Sequence, residues 1–376
     1  MNILLISPYF SPAVGGVETH LTDLCTYLSS KKHTVFVRTY KAFGVRDRGK
    51  IYEESKYLKI HRLSWPDFNL IFRLENYPIL KFAYLFSGLF LDCLIFLIIS
   101  YKKINVIQAH GFIAAMAAVL LGKLFKKRVV INTHVAFKLN NNFITNAIKW
   151  TLLNSDQILV LTQDIKTALI RIGIPANKII IYHYWVNQKI FNIQKSSRKK
   201  LNWQNKFTVL FVGRLIEVKG IKTIFYLAKN LRNVKFVIVG IGPLAEEIKQ
   251  ACLGFKNIEF LGKIDNKNLP IYYSASSVLL IPSKIIDQEY EEGIPRVLIE
   301  ALSCGLPIIS THSGGISNVF SKEMGLLIDD NLEDMVTAIK RMHNRRRTRK
   351  SIRDCSLKLF GIKNARIIEK SLQKDS

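Results

Sequence analysis

A chain of 376 residues with 49% hydrophobic content carries enough apolar side chains for two cores, which excludes a disordered chain or one small domain. A formal net charge of +27 reflects either solubility alone or an anionic partner: nucleic acid, an anionic membrane surface or a phosphate-bearing substrate. No zinc-finger spacing and no RNP-like aromatic string occur, so no nucleic-acid partner is expected. The five cysteines, Cys25, Cys93, Cys252, Cys304 and Cys355, lack paired spacing and read as reduced thiols in a cytoplasmic protein.

The N-terminal run has no basic start and too short an apolar stretch for a signal peptide, so it reads as a buried first strand. Strands are expected at 3–7, 34–38, 58–63, 106–109, 129–133, 157–161 and 178–182, with helices such as 17–30 and 142–154 between them. The polar stretch 187–205, with Ser196-Ser197-Arg198-Lys199-Lys200, reads as a linker. A second series follows, with strands at 208–212, 235–239, 258–261, 278–281, 308–310 and 326–328. Near-continuous apolar strands alternating with helices imply parallel sheets covered on both faces. The expected organisation is a first domain at 1–186, the linker at 187–205, a second domain at 206–355, and a last helix within 356–376 that returns to the first domain. Ligands of such sheets sit at the carboxyl ends of the strands, where the motifs below fall.

Residues 82–100 are almost wholly apolar, near the length of a membrane span. Asp92 near the middle, the lack of a second span and the strand at 106–109 favour a buried or membrane-surface helix over a spanning one.

Gly15 and Gly16, after the first strand, suit either a plain βα turn or a backbone that approaches phosphate at positive φ. His110-Gly111 and His134 each follow a strand, and the glycine leaves room for a ligand. Gly213-Arg214 and Lys219-Gly220 bracket a loop that can neutralise a diphosphate, the guanidinium in bidentate fashion and the ammonium as a point charge. Gly240-Ile241-Gly242-Pro243 lacks the third glycine that a nicotinamide fingerprint needs and reads as site wall. Glu292 and Glu300 stand eight residues apart, with Gly293-Ile294-Pro295-Arg296 between them at a helix start. Uncapped N–H groups there favour an anion, and the two carboxylates can accept from hydroxyls, so a nucleotide sugar fits. No Asp-X-Asp motif and no metal-ligand spacing occur, so neither a metal nor a cofactor is expected.

Glu292 to Pro307, with Gly-X-Pro inside and Ala-X-X-X-Gly-X-Pro after, resembles the glutamate-seven-glutamate signature of retaining glycosyltransferases of the GT-B fold, family four (group 1). The resemblance runs over nearly the whole chain and implies an α/β fold of two doubly wound Rossmann-like domains facing across a cleft. It implies contact of Glu292 with the transferred sugar and of Glu300 with the nucleotide ribose. It implies a diphosphate clamp at Gly213-Arg214-Leu215 to Lys219-Gly220. Gly15-Gly16-Val17-Glu18-Thr19-His20 resembles the family's first loop, and Lys263-Ile264 the edge that holds the base through backbone groups. His110 takes a place at the donor sugar and His134 one on the acceptor side. Two positions depart from the pattern: Tyr184-Trp185-Val186-Asn187 replaces a turn glycine with a bulky residue, and Asn318 stands where a glutamate is usual. The expected activity is metal-independent transfer from a UDP- or GDP-sugar to a lipid-linked or cell-envelope saccharide, by a protein peripheral on the inner face of the cell membrane. A soluble small-molecule or protein acceptor is the alternative, and the donor sugar and base stay open.

Overall fold

The protein is described by a computed structural model that covers residues 1–13, 15–43, 48–66, 73–74, 77–134, 142–203, 205–284, 293–344 and 348–373. It forms two compact units, Met1–His183 with Ile362–Ser376, and Tyr184–Gly361. The first holds an eight-stranded sheet of β1 (Asn2–Ile6), β2 (Thr34–Tyr40), β3 (Tyr52–Glu54), β4 (Leu58–Leu63), β5 (Val106–His110), β6 (Arg128–Asn132), β7 (Gln157–Val160) and β8 (Ile179–Ile181). Their spatial order is β3-β4-β2-β1-β5-β6-β7-β8. All neighbours are parallel except β3 and β4. The short β3 escapes the sequence reading because its residues are polar and lie at the sheet edge; a tight turn, Ser55 N to Leu58 O at 2.7 Å, folds it back.

The second unit holds β9 (Thr208–Val212), β10 (Lys235–Val239), β11 (Ile258–Gly262), β12 (Val278–Ile281), β13 (Ile308–Thr311) and β14 (Gly325–Ile328), all parallel, in the order β11-β10-β9-β12-β13-β14. In each sheet the chain reverses its direction of travel beside its first strand, between β1 and β5 and between β9 and β12. Crossovers leave toward opposite sides there and open a crevice at the carboxyl ends.

The units divide at His183/Tyr184 and Gly361/Ile362. Residues 187–205 therefore lie inside the second unit instead of forming a separate linker. Two of them are tied to the second unit: the Arg198 guanidinium donates to Lys206 O at 2.7 Å and Ser277 Oγ at 3.1 Å, and Gln194 N donates to Ser274 Oγ at 3.0 Å. Residues 356–360 close the helix Arg349–Phe360, also in the second unit. The last helix, Lys363–Leu372, packs on the first unit, where Glu369 accepts from Tyr27 OH at 2.6 Å and meets His33 Nε2 at 2.8 Å.

The apolar segment near residues 82–100 forms the helix Pro78–Ser100. Leu85, Leu89, Cys93 and Leu97 recur every fourth residue and face the core. A Cβ at Gly88 would stand 2.7 Å from Tyr40 OH and from the Trp65 ring, so helix and sheet meet closely. Asp92 Oδ1 lies 3.2 Å from Arg38 Nη1 and 3.1 Å from His61 Nδ1, on β2 and β4. The charge in mid-helix is thus tied to the sheet. An Asp92→Ala variant leaves the largely buried Arg38 without its carboxylate and should lose about 2 kcal/mol of stability in urea denaturation. An unchanged midpoint would show that the pair does not hold the helix.

Candidate active site

The crevice of the first unit is lined by imidazoles. Gln108 and His110 are two residues apart on β5 and share a face. His110 is opposite Asn132 on β6, and Gln108 Nε2 donates to Asn132 Oδ1 at 2.9 Å. His134 follows β6, and its Nε2 lies 3.0 Å from His110 Nδ1, the two rings stacked at 5.2 Å and 11°. Burial, then the neighbouring His134, pushes the His110 imidazole well below the usual histidine range. Burial pushes His134 down to about 4. Two neutral rings share one N–H···N bond. His110 Nε2 has no hydrogen-bond partner among the described residues. Gly111, at φ 82°, has nothing within 4 Å of the place a Cβ would take. A neutral imidazole can donate to or accept from a hydroxyl, and the buried Nε2 of His110 is the ring nitrogen left to do so.

His20 and Tyr182 complete this cluster. His20 is fully buried, 5.9 Å from the His134 ring and 5.8 Å from that of Tyr182. The sequence reading gave neither residue a role. Its available signal was the run Gly15–His20 itself, since His20 falls one turn into the helix Gly16–Ser30. Gln108 and Asn132 were also missed; polar residues in otherwise apolar strands were the signal.

Of the two readings of Gly15 and Gly16, the positive-φ one does not occur. Gly15 is extended (φ −177°) and caps the helix, and Gly16 begins it. A Cβ at 15 would stand 2.1 Å from Glu18 Oε2, the far end of a side chain that folds back over the helix start.

In the second unit β9 leads into the loop of Gly213, Arg214 and Lys219. Gly213 N donates to Val239 O at 3.1 Å and Leu215 N to Ile241 O at 2.9 Å. A Cβ at Gly240 would lie 2.0 Å from Gly213 O, and one at Gly242 2.4 Å from Leu215 O. Gly220 has φ 64°, and a Cβ there would be 1.8 Å from Pro282 O. The Gly-Ile-Gly run therefore braces the loop by backbone contact. Arg214 is exposed, and its guanidinium has no hydrogen bond or ion pair among the described residues; Lys219 is half-buried at the end of a 3-10 turn.

Beyond β12, Glu292 lies outside the described residues. Gly293 is half-buried, and Ile294 and Pro295 are buried. Pro295 occupies the N-cap position, one residue before the expected first turn, and among the described residues no side chain caps the helix Arg296–Ser303. The guanidinium of Arg296 is buried, its Nη1 donating to Trp185 O at 3.3 Å and its Nε 3.7 Å from Glu300 Oε1. The bulky Trp185 sits in the unit's interior and supplies a carbonyl to Arg296.

Glu300 is 2% exposed, accepting from Tyr273 OH at 2.9 Å and Asn266 Nδ2 at 3.2 Å. Burial and the carboxylate hold the Tyr273 phenol well above its usual range, so it stays a donor. Asn266 belongs to the loop after β11 that carries Lys263 and Ile264, which line an open pocket of ≈ 580 Å³ with Gln194, Asp265, Lys267 and Tyr272. The pair formed by Asn266 and Glu300 thus joins the loop after β11 to the helix after β12. Among the described residues no group of His, Cys, Asp or Glu could hold a metal ion.

Residues 193–356 match the family model of Glycosyl transferases group 1, and residues 14–189 that of Glycosyltransferase Family 4. The chain belongs to the group 1 glycosyl transferases. The GPI3 subunit of phosphatidylinositol N-acetylglucosaminyltransferase from Saccharomyces cerevisiae (strain YJM789) is 23% identical over 359 residues, 91% of this chain and 75% of that protein. Sucrose-phosphate synthase from Thermosynechococcus elongatus superposes with a TM-score of 0.78 at 22% identity, covering 98% of this chain and 97% of the other. HepE of Anabaena, solved with UDP-glucose, gives 0.72 at 16% identity, covering 99% of each chain. The fold of this glycosyl transferase is GT-B, two Rossmann-like parallel-sheet domains.

The buried imidazoles make the enzyme acid-sensitive. His134 is held from 6.5 to about 4, so below pH 6.5 the unfolded chain binds a proton that the folded chain refuses. Its contribution is complete above 6.5 and disappears as pH falls to about 4, a loss on the order of 3 kcal/mol. Urea midpoints at pH 7 and near pH 4 should fall further for the native chain than for His134→Gln. An equal fall in both would assign the acid sensitivity to other groups.

Proposed function

We propose that this glycosyl transferase moves a sugar from a UDP- or GDP-sugar to a hydroxyl of a lipid-linked or cell-envelope saccharide, at the cytoplasmic face of a membrane and with retention of configuration. The observation that carries the reading is the exposed Arg214, with Lys219, on a backbone-locked loop after β9, while the uncapped helix Arg296–Ser303 follows the neighbouring β12. Two cations and a helix start converging on the carboxyl ends of adjacent strands suit a diphosphate. HepE of Anabaena takes UDP-glucose in its crystal, which supports a UDP-sugar donor. The yeast relative is by name a phosphatidylinositol N-acetylglucosaminyltransferase, which supports a lipid-borne acceptor.

In this reading the bond from the anomeric carbon to the diphosphate oxygen breaks while Arg214, Lys219 and the N–H groups at Arg296 meet the growing negative charge. The acceptor oxygen bonds the anomeric carbon on the face the diphosphate leaves, and its proton passes to a diphosphate oxygen. Glu300, held in place by Tyr273 and Asn266, takes ribose hydroxyls, and His110 takes a hydroxyl of the sugar. Glu292 is assigned the transferred sugar by its position in the family motif. No metal is invoked, because cationic side chains and N–H groups meet the charge.

The test is nucleoside diphosphate release from a panel of UDP-, GDP- and ADP-sugars, with and without a detergent extract of membrane lipids. One donor should respond, more strongly with lipid and equally with EDTA. Arg214→Ala should lower kcat/KM about 100-fold. NMR of the product should show the donor's anomeric configuration; an inverted product would overturn retention. No release and no nucleotide binding for any donor would overturn the reading itself.

A further inference from the structure

We propose that three neighbouring helices of the first unit form a docking surface for an anionic phospholipid bilayer, on which the helix Pro78–Ser100 lies instead of crossing it. This rests on the membrane-borne acceptor proposed above and names the part of the chain that meets the membrane. The helix is long and apolar enough to span, but Asp92 and the stripe from Leu85 to Leu97 commit one face to the sheet. The opposite stripe is also apolar: Leu91, Ile95, Ile98 and Ile99 are between 50% and 79% exposed. The helix Phe112–Phe125 packs beside it and adds Leu124, 64% exposed. The helix Asn142–Leu153 packs on that one in turn and adds Trp150, 41% exposed. Exposed isoleucines and leucines thus stand on helices that pack side by side, apolar surface of a kind that a soluble protein rarely leaves uncovered.

The rim of the patch identifies what covers it. Lys123 Nζ stands 4.9 Å from the Trp150 ring centroid, and Lys127 Nζ 5.9 Å from that of Tyr101. Tyr101 itself packs on Phe125, with centroids 5.9 Å apart. Exposed Lys102 and Lys103 continue from the end of the helix Pro78–Ser100. Aromatic rings with lysines beside an aliphatic patch match the layering of a lipid interface, with acyl chains below and phosphates above. Lys123, Lys126, Lys127 and Arg128 also line an open pocket of ≈ 650 Å³ with Asn154 and Asp156, where a headgroup phosphate has room. The Asp156 carboxylate is already engaged, accepting from Val129 N at 2.7 Å. A second copy of the chain is the less suitable occupant, because a two-fold contact through this face would bring the same lysines together.

The test is co-sedimentation of the full chain with vesicles of phosphatidylcholine alone and of phosphatidylcholine with phosphatidylglycerol, at low and high salt. Binding should be strong only to the anionic vesicles and weaken with salt. Lys123→Glu/Lys127→Glu should weaken it about 30-fold. Ile98→Ser/Ile99→Ser should weaken it about tenfold or more. Brominated lipid should quench tryptophan fluorescence, and Trp150→Phe should remove that quenching. Nucleoside diphosphate release in detergent should be unchanged in all three variants. Negligible native binding, binding unchanged in the variants, or a solution dimer dispersed by Ile98→Ser/Ile99→Ser would overturn the docking surface while leaving donor turnover intact. Vesicle binding as described without donor turnover would support the surface and overturn the transfer reading alone.

Discussion

The loop after β9 depends on backbone lying directly against backbone. A Cβ at Gly220, Gly240 or Gly242 would fall 1.8 to 2.4 Å from the nearest main-chain atom of Pro282, Gly213 or Leu215. The loop that carries Arg214 and Lys219 is thereby seated on the turn after β10 and against the end of β12. Charges held this way need no rearrangement when negative charge develops nearby, which is the condition under which electrostatic stabilisation is strongest. The same close approach leaves these positions no freedom for a side chain, so the glycines here are structural requirements of the site.

The two units meet the chemistry with opposite electrostatics. In the first, buried neutral imidazoles share a hydrogen bond, and burial keeps their protons off. In the second, a guanidinium is exposed and an ammonium half-buried, while the buried carboxylate of Glu300 accepts from Tyr273 and Asn266. Neutral rings suit hydroxyl groups of a sugar; solvated cations suit a diphosphate that arrives with its own charge. Each unit places its groups after the strands where the sheet order reverses, because that is where crossovers diverge and leave main-chain groups accessible.

The helix Pro78–Ser100 shows how one charge changes the meaning of a hydropathy pattern. By length and composition the segment passes for a membrane span. Asp92 bonded to Arg38 and His61 ties it to β2 and β4, so its apolar residues divide between a core stripe and an outward stripe. Periodicity alone does not separate these stripes when both are apolar, since the amphipathic signal depends on polar contrast.

By itself the sequence determined the two βα series, nearly every parallel strand to within a residue, the places of His110, His134, Arg214, Lys219 and Lys263 at or after strand ends, and that of Glu300 on the helix after β12. These follow from local pattern: apolar runs, glycines and helix starts repeat at spacings that the backbone dictates. The tertiary structure decided what local pattern does not encode. It placed the polar 187–205 stretch inside the second unit, because Arg198 finds carbonyl and hydroxyl partners there. It folded β3 back at the sheet edge, where a polar strand needs no buried face. It turned Arg296 inward to Trp185 and Glu300, and gathered His20, Tyr182, Gln108 and Asn132 around the histidine pair. For Arg198, Arg296 and the histidine cluster a deciding partner (Ser277, Trp185 and the residues across β5 and β6) is remote in sequence, and burial makes an unsatisfied polar group too costly to leave without one.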